Sequence, residues 1–192
     1  MDLYEFQKLA IRTESVIDDV IIKKDEFLYL IEAFAVLGDM LDCYKKKIFY
    51  KKDTKYDETF LLSLRKLQNL TFNISYAHDQ EPELVEHISN KQSRVLHGML
   101  GVCTESAELA QILHKFVEDG SLDIVNLMEE MADGAGGTNS WYTAVLCDAL
   151  GIDPYEPMDK VIRKLKARFP NNYCDDRAEN RNIEAERAEL ES

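Results

Sequence analysis

The chain has 192 residues, 45% of them hydrophobic, which is enough for a cored domain and argues against general disorder. A formal charge of −13 repels polyanions, so neither a nucleic-acid polymer nor an anionic membrane is an expected partner, whereas divalent cations are compatible. No apolar run approaches the roughly 18 to 20 residues that span a bilayer, and the opening MDLYEFQKLA has no basic region leading into an apolar one, so a soluble, cytoplasmic protein is expected.

Apolar residues return at three- and four-residue steps almost throughout, and strand-like alternation is hard to find, so an all-α fold is expected. A first helical region is predicted over about 2–22. A second runs from Glu26 to about Tyr50, with Phe27, Leu30, Ile31, Phe34, Leu37, Leu41 and Ile48 as its buried stripe. A third covers 57–77 through Phe60, Leu61, Leu64, Leu67, Leu70 and Ile74. Asp79 to Pro82 interrupts the pattern, because proline suits a first helical turn and little beyond it. A long helix is predicted from about Ser93 to Glu118, closed by Gly120, and another after Ser121 or Asp123, either of which can cap it. Trp141–Leu150 ends at Gly151, and Met158–Phe169 stops at Pro170. The tail from Asp175 has helix formers but almost no apolar face, as in a solvated or partner-packed helix. A single all-α domain over 1–192 is expected, with helical region 1–80, central region 81–170 and tail 171–192.

Cys43, Cys103, Cys147 and Cys174 form no C-x-x-C pair, and His78, His87, His97 and His114 no H-x-x-x-H pair, so a zinc site of standard spacing is not supported. The acids are more informative. Glu105 and Glu108 in CTESAEL share a helical face, as do Glu130 and Asp133 in EEMAD. About seven such i,i+3 acidic pairs are expected from composition alone, so a lone pair reads as a solvated face. Leu96, Met99, Leu100, Val102, Cys103, Leu109 and Ile112 crowd the first pair, however, and antiparallel helices joined at Gly120 bring the two pairs together. The result is either a hard-ligand site suited to Mg²⁺ or Mn²⁺, or a surface salt-bridge network.

The order E-x-x-E, then 109–129, then E-x-x-D resembles the MazG-like all-α nucleoside triphosphate pyrophosphohydrolases. RVLHGMLGVCTESAEL is similar to the segment leading into that family's first motif, IDPYEPMDKVIRKLKARFP to its closing helix, and NRNIEAERAEL to the tails of phage-encoded members. The likeness covers roughly 92–190 and marks 81–170 as the catalytic region of a MazG-like helical bundle. It implies Mg²⁺-dependent hydrolysis of a nucleoside triphosphate, deoxynucleotides favoured, to monophosphate and pyrophosphate. Glu105, Glu108, Glu130 and Asp133 are then the metal ligands, and Glu105 or Glu108 handles the water. Lys164 and Arg168 meet the triphosphate, the alternative being a solvated basic stripe. Arg94 is a lesser substrate contact, and Trp141 and Tyr142 contribute to base selection. A homodimer or homotetramer is implied, in host cytoplasm if the protein is phage-encoded. The alternative is a catalytically impaired member of the same fold that binds a nucleotide or a partner.

Two features depart from a simple pattern. Residues 134–140 separate Asp133 from the aromatic pair Trp141-Tyr142, about five more than the resembled pattern has. Gly134, Gly136 and Gly137 there predict a break or bulge after Asp133, with Asn139 or Ser140 capping a restarted helix. The glycines are not a P-loop, since no Gly-Lys-Ser/Thr follows a strand. Residues 35–50 also lie on 104–119 at an offset of 69, which is either a degenerate internal repeat, packed against the active pair as a pseudo-symmetric bundle, or a chance likeness between amphipathic helices.

Overall fold

The computed structural model describes residues 1–15, 17, 20–50, 56–85, 88–135, 137 and 140–192. The fold is all-α: its elements are helices α1 (Leu3–Ala10), α2 (Lys24–Tyr50), α3 (Tyr56–His78), α4 (Asn90–Asp119), α5 (Ile124–Glu130), α6 (Trp141–Leu150), α7 (Glu156–Arg168), α8 (Asp175–Glu179) and α9 (Ile183–Glu191). The only described strands are a three-residue antiparallel pair, β1 (Val20–Ile22) and β2 (Glu83–Val85), with Ile21 opposite Leu84. Among the described residues no helix is long and apolar enough to cross a membrane.

The first helical region is shorter than expected. Asp2 caps α1 by accepting from the Glu5 N–H, a 3₁₀ turn over Ile11–Thr13 follows, and the chain is extended at Glu14. Beyond it the segment expected to be helical contains β1, because the hydrophobic run there finds a strand partner in β2. The chain also divides into two compact units rather than one. One comprises Met1–Asp18, Ile88–Tyr173 and Arg181–Ser192; the other comprises Asp19–His87 and Cys174–Asn180.

The second unit is built on the α2–α3 hairpin. Ala33, Val36 and Leu70 are buried at its centre, with Tyr29, Met40, Leu67 and Ile74 packed around them. The buried stripe of α2 is therefore not the expected one: Leu30, Ile31, Phe34, Leu37, Leu41 and Ile48 are exposed. Two apolar stripes run along this helix, and α3 takes the one rich in small residues, which allows the two backbones to approach. On α3 the expected stripe faces inward except for Leu61, which is exposed.

In the other unit α4 packs on α6, on the turn after α5 and on α5 itself, while α1 packs on α6. Ala10, Ala144, Val145 and Cys147 are buried there. Ser89 and Gln92 form a capping box at the start of α4, and Gly120 closes it in the left-handed region at φ 75°. Asp123 rather than Ser121 caps α5, accepting from the Asn126 N–H. Gly151 ends α6 at φ 70° as expected. Helix α7 starts at Glu156, two residues before the expected Met158, with Pro157 tolerated in its first turn. The tail is partner-packed within the chain: α9 lies on α7. At an offset of 69 the continuous α3 falls across α5, its following turn and α6, so any repeat is broken in its second helix.

Candidate metal centre

One face of α4 organises this region. Arg94, Gly98, Gly101, Glu105, Glu108, Ile112 and Lys115 follow each other at alternating steps of four and three, and so lie in a single stripe. Arg94 donates from Nε to Glu14 at 2.8 Å and from Nη2 to Asp148 at 2.7 Å, fixing the end of the stripe to the residues after α1 and to α6. The next two positions need glycine because α6 lies against them. A Cβ on Gly98 would come within 2.6 Å of the Leu146 side chain, and one on Gly101 within 2.1 Å of the Tyr142 ring.

Past that contact the stripe becomes acidic. Glu105 and Glu108 meet Glu130, the last residue of α5, so that one carboxylate oxygen from each lies within 4.8 Å of the others. Burial, followed by the neighbouring Glu105 carboxylate, pushes the Glu130 carboxyl above its ordinary value. The Tyr142 phenol is also pushed up, first by burial and then by the charges of Glu105, Asp133 and Glu108, so it stays a neutral donor beside the acids. Glu108 and Glu130 line a cleft of about 490 Å³ between α4 and α5, together with Gln111, Lys115, Asp123 and Asn126.

Asp133 is not in the three-carboxylate group, although the expected spacing put it on the face of Glu130. The helix widens there: Met131–Ala135 form a π-helical turn, which rotates less per residue than an α-helix, so a residue three positions on falls short of the same face. The anticipated bulge thus contains the fourth acid instead of following it. Gly134 in this turn lies directly against Glu105, and a Cβ there would be 2.5 Å from the Glu105 Cγ. Ser140 occupies the cap position of α6, but its hydroxyl donates to the Gly137 carbonyl at 2.7 Å and accepts no backbone N–H. Asn139 and Gly136 lie outside the described residues.

The basic and aromatic residues divide in an unexpected way. Arg168 holds the carboxylate of Glu186 with both its Nε, at 2.8 Å, and its Nη2, and Arg181 grips the same carboxylate at 3.1 and 2.6 Å. Glu186 is only 3% exposed, and the two guanidinium groups lower its carboxyl to about 2. Arg168 is therefore a clamp on the tail, and Lys164 sits on the same helix, whose main packing partner is α9. Neither lines the cleft of Glu108 and Glu130. The cation that lines their cleft is Lys115, which sequence reasoning passed over although it stands seven residues, two turns, beyond Glu108 on one face. Arg94 is committed to its two acids. The Trp141 indole donates to the Ala10 carbonyl and to Thr13 Oγ1, both at 3.0 Å, while its ring stands edge-on to Tyr142 at 4.8 Å and to His97 at 5.5 Å. Trp141 thus pins the end of α1, and Tyr142 alone of the aromatic pair turns toward the acids.

Comparison with protein-family models, with curated proteins and with solved structures returned no match.

Proposed function

We propose that this protein is a divalent-cation-dependent nucleoside triphosphate pyrophosphohydrolase of the MazG-like kind, cytoplasmic, with deoxynucleotides favoured as substrates. The observation that carries the reading is the convergence of Glu105, Glu108 and Glu130, of which Glu108 and Glu130 line a cleft that also holds Lys115. The donor set fits a hard cation: it is all carboxylate oxygen, and the Glu130 carboxyl, raised by burial and then by the neighbouring Glu105, is one whose charge a cation would stabilise. Glu105, Glu108 and Glu130 would hold it. Bound Mg²⁺ or Mn²⁺ would neutralise triphosphate oxygens and make a bound water more acidic.

The chain's own groups supply the rest. Water adds at the α-phosphorus, the bond from that phosphorus to the oxygen bridging to the β-phosphorus breaks, and that oxygen leaves with pyrophosphate. Glu105 or Glu108 takes the proton of the water. Lys115 faces the same cleft and would offset the charge gathering on the departing pyrophosphate. Tyr142, neutral beside Glu105, would orient that carboxylate or donate to a phosphate oxygen.

A second reading, a nucleotide-binding member with little turnover, is favoured by one observation: the π-helical turn leaves Asp133 out of the group. Incubating the protein with each of the eight common dNTPs and NTPs plus Mg²⁺, and measuring monophosphate and pyrophosphate, separates the two. Equal yields of both products from at least one nucleotide support the enzyme. All eight left intact at high protein concentration, with one of them bound, would decide for the second reading.

A further inference from the structure

Helix α2 carries an apolar seam that stays largely exposed beside its own hairpin. Leu30, Phe34, Leu37, Leu41, Tyr44 and Ile48 are separated by four, three, four, three and four residues, an unbroken alternation of the a and d positions of a heptad repeat. The hairpin packs through a different face, that of Ala33 and Val36. All six seam residues are 41–65% exposed, including Tyr44, whose ring meets the edge of Phe60. Large apolar side chains scattered singly on a surface are ordinary; six in register over five turns of one helix are not.

We propose that this seam is a dimer interface, occupied by α2 of a second copy of the chain running antiparallel across a two-fold axis. Three observations select that occupant. The first is the match of the seam to itself: antiparallel pairing sets Leu37 against Leu41 of the second copy at the centre, Phe34 against Tyr44 and Leu30 against Ile48 on either side, so every a position meets a d position. The second is charge. Lys24, Asp25, Glu26 and Glu32 give the first third of α2 a net −2, while Asp42, Lys45, Lys46 and Lys47 give the last third a net +2. Antiparallel copies lay each acidic end over a basic one, whereas parallel copies would stack like on like.

The third is Gly38, in the middle of a 27-residue helix. Glycine is a poor helix former, and among the described residues nothing lies within 4 Å of where its Cβ would be, so no described contact of this hairpin requires it. It stands next to Leu37, where the two-fold axis crosses the seam and where a second backbone would come closest. The open surface is also of the right size: six side chains of this kind at half exposure leave roughly 600 Å² per copy, before flanking residues are counted, against about 800 Å² per partner in a standard interface.

Sedimentation velocity of the full chain between 1 and 100 μM should show a reversible dimer. The double substitution Leu37→Glu with Leu41→Glu should weaken it at least 100-fold with the far-ultraviolet circular dichroism of the native protein. Gly38→Leu should improve the helix of the monomer and still weaken the dimer at least tenfold, a combination that a role confined to one chain would not produce. Phe72→Ser, at an exposed position on α3, should leave the dimer constant unchanged. Orientation is read by cross-linking with peptide mapping, since the chain has four cysteines of its own. Leu30→Cys together with Ile48→Cys should link two copies, the positions lying some 27 Å apart along one helix and so unable to link within it. A monomer at every concentration, a dimer unaffected by all the seam substitutions, or self-linking of Leu30→Cys alone would overturn the proposal.

Discussion

Glu105 stands where it does because the residue beneath it has no side chain. The Glu105 side chain fills the space that a Cβ on Gly134 would need: such a Cβ would lie 2.5 Å from the Glu105 Cγ and 3.2 Å from the Tyr142 ring, and neither of those atoms is at the end of a long flexible side chain. Gly134→Ala is expected to cost about 1–3 kcal/mol through overpacking and to displace Glu105 from the other two acids. Its cation affinity should fall about 10–100-fold, comparable to losing a ligand's support. Calorimetric titration with Mn²⁺, alongside thermal denaturation, measures both; an unchanged affinity would mean that Glu105 does not depend on this contact. The cleft gives a second prediction at this scale. Lys115→Ala should raise KM for the hydrolysed nucleotide about tenfold, while Lys164→Ala, on a helix packed against the tail, should leave KM within twofold. Steady-state assays of the two variants with the same nucleotide would expose the reverse assignment, that of the resemblance, if Lys164 proved the sensitive one.

At the scale of the element, α9 has almost no apolar face and is held by charge. Glu186 sits between Arg168 of α7 and Arg181 just ahead of α9, buried and doubly gripped. Its carboxyl lies at about 2 in the folded chain, below the usual carboxylate value. Because the folded value is the lower, the clamp stabilises fully above about pH 4.5 and the contribution is lost as pH falls toward 2, on the order of 3 kcal/mol in all. Glu186→Gln should lose most of that at neutral pH and flatten the acid side of the stability profile between pH 4.5 and 2. Urea unfolding across that range tests it, and an unaltered acid limb in the variant would show that the clamp contributes little. Helix α7 illustrates how far an element can be read from sequence. Its basic face was legible; that Arg168 turns to Glu186, 18 residues later, was not, since nothing local distinguishes a cation awaiting phosphate from one already paired.

For the whole molecule, two compact units predict a divided response to cations. Mn²⁺ at 100 times its dissociation constant should stabilise the unit containing α4 and α5 by about 2.7 kcal/mol. In hydrogen exchange, protection should rise along α4, α5 and α6 and stay unchanged along α2 and α3. Glu108→Gln should abolish the rise without changing the helical content. A uniform gain across both units, or one that survives Glu108→Gln, would place the cation elsewhere.

The sequence by itself determined most of the helices, many of their ends and the meeting of three acids. Those depend on short-range physics: a 3.6-residue period, glycine in the left-handed region at Gly120 and Gly151, and a capping residue, Ser121 or Asp123, ahead of α5. Glu105 and Glu108 share a face wherever α4 goes, and a short link at Gly120 returns α5 to them. Tertiary structure decided what periodicity leaves degenerate. Helix α2 has two apolar stripes, and only the packing of α3 on Ala33 and Val36 shows which one is buried. Asp133 keeps its spacing in the sequence but loses its face in space, because the turn that carries it widens where Gly134 lies against Glu105. Spacing specifies a face only while the helix keeps its pitch, and the pitch here changes where α4 and the turn press together.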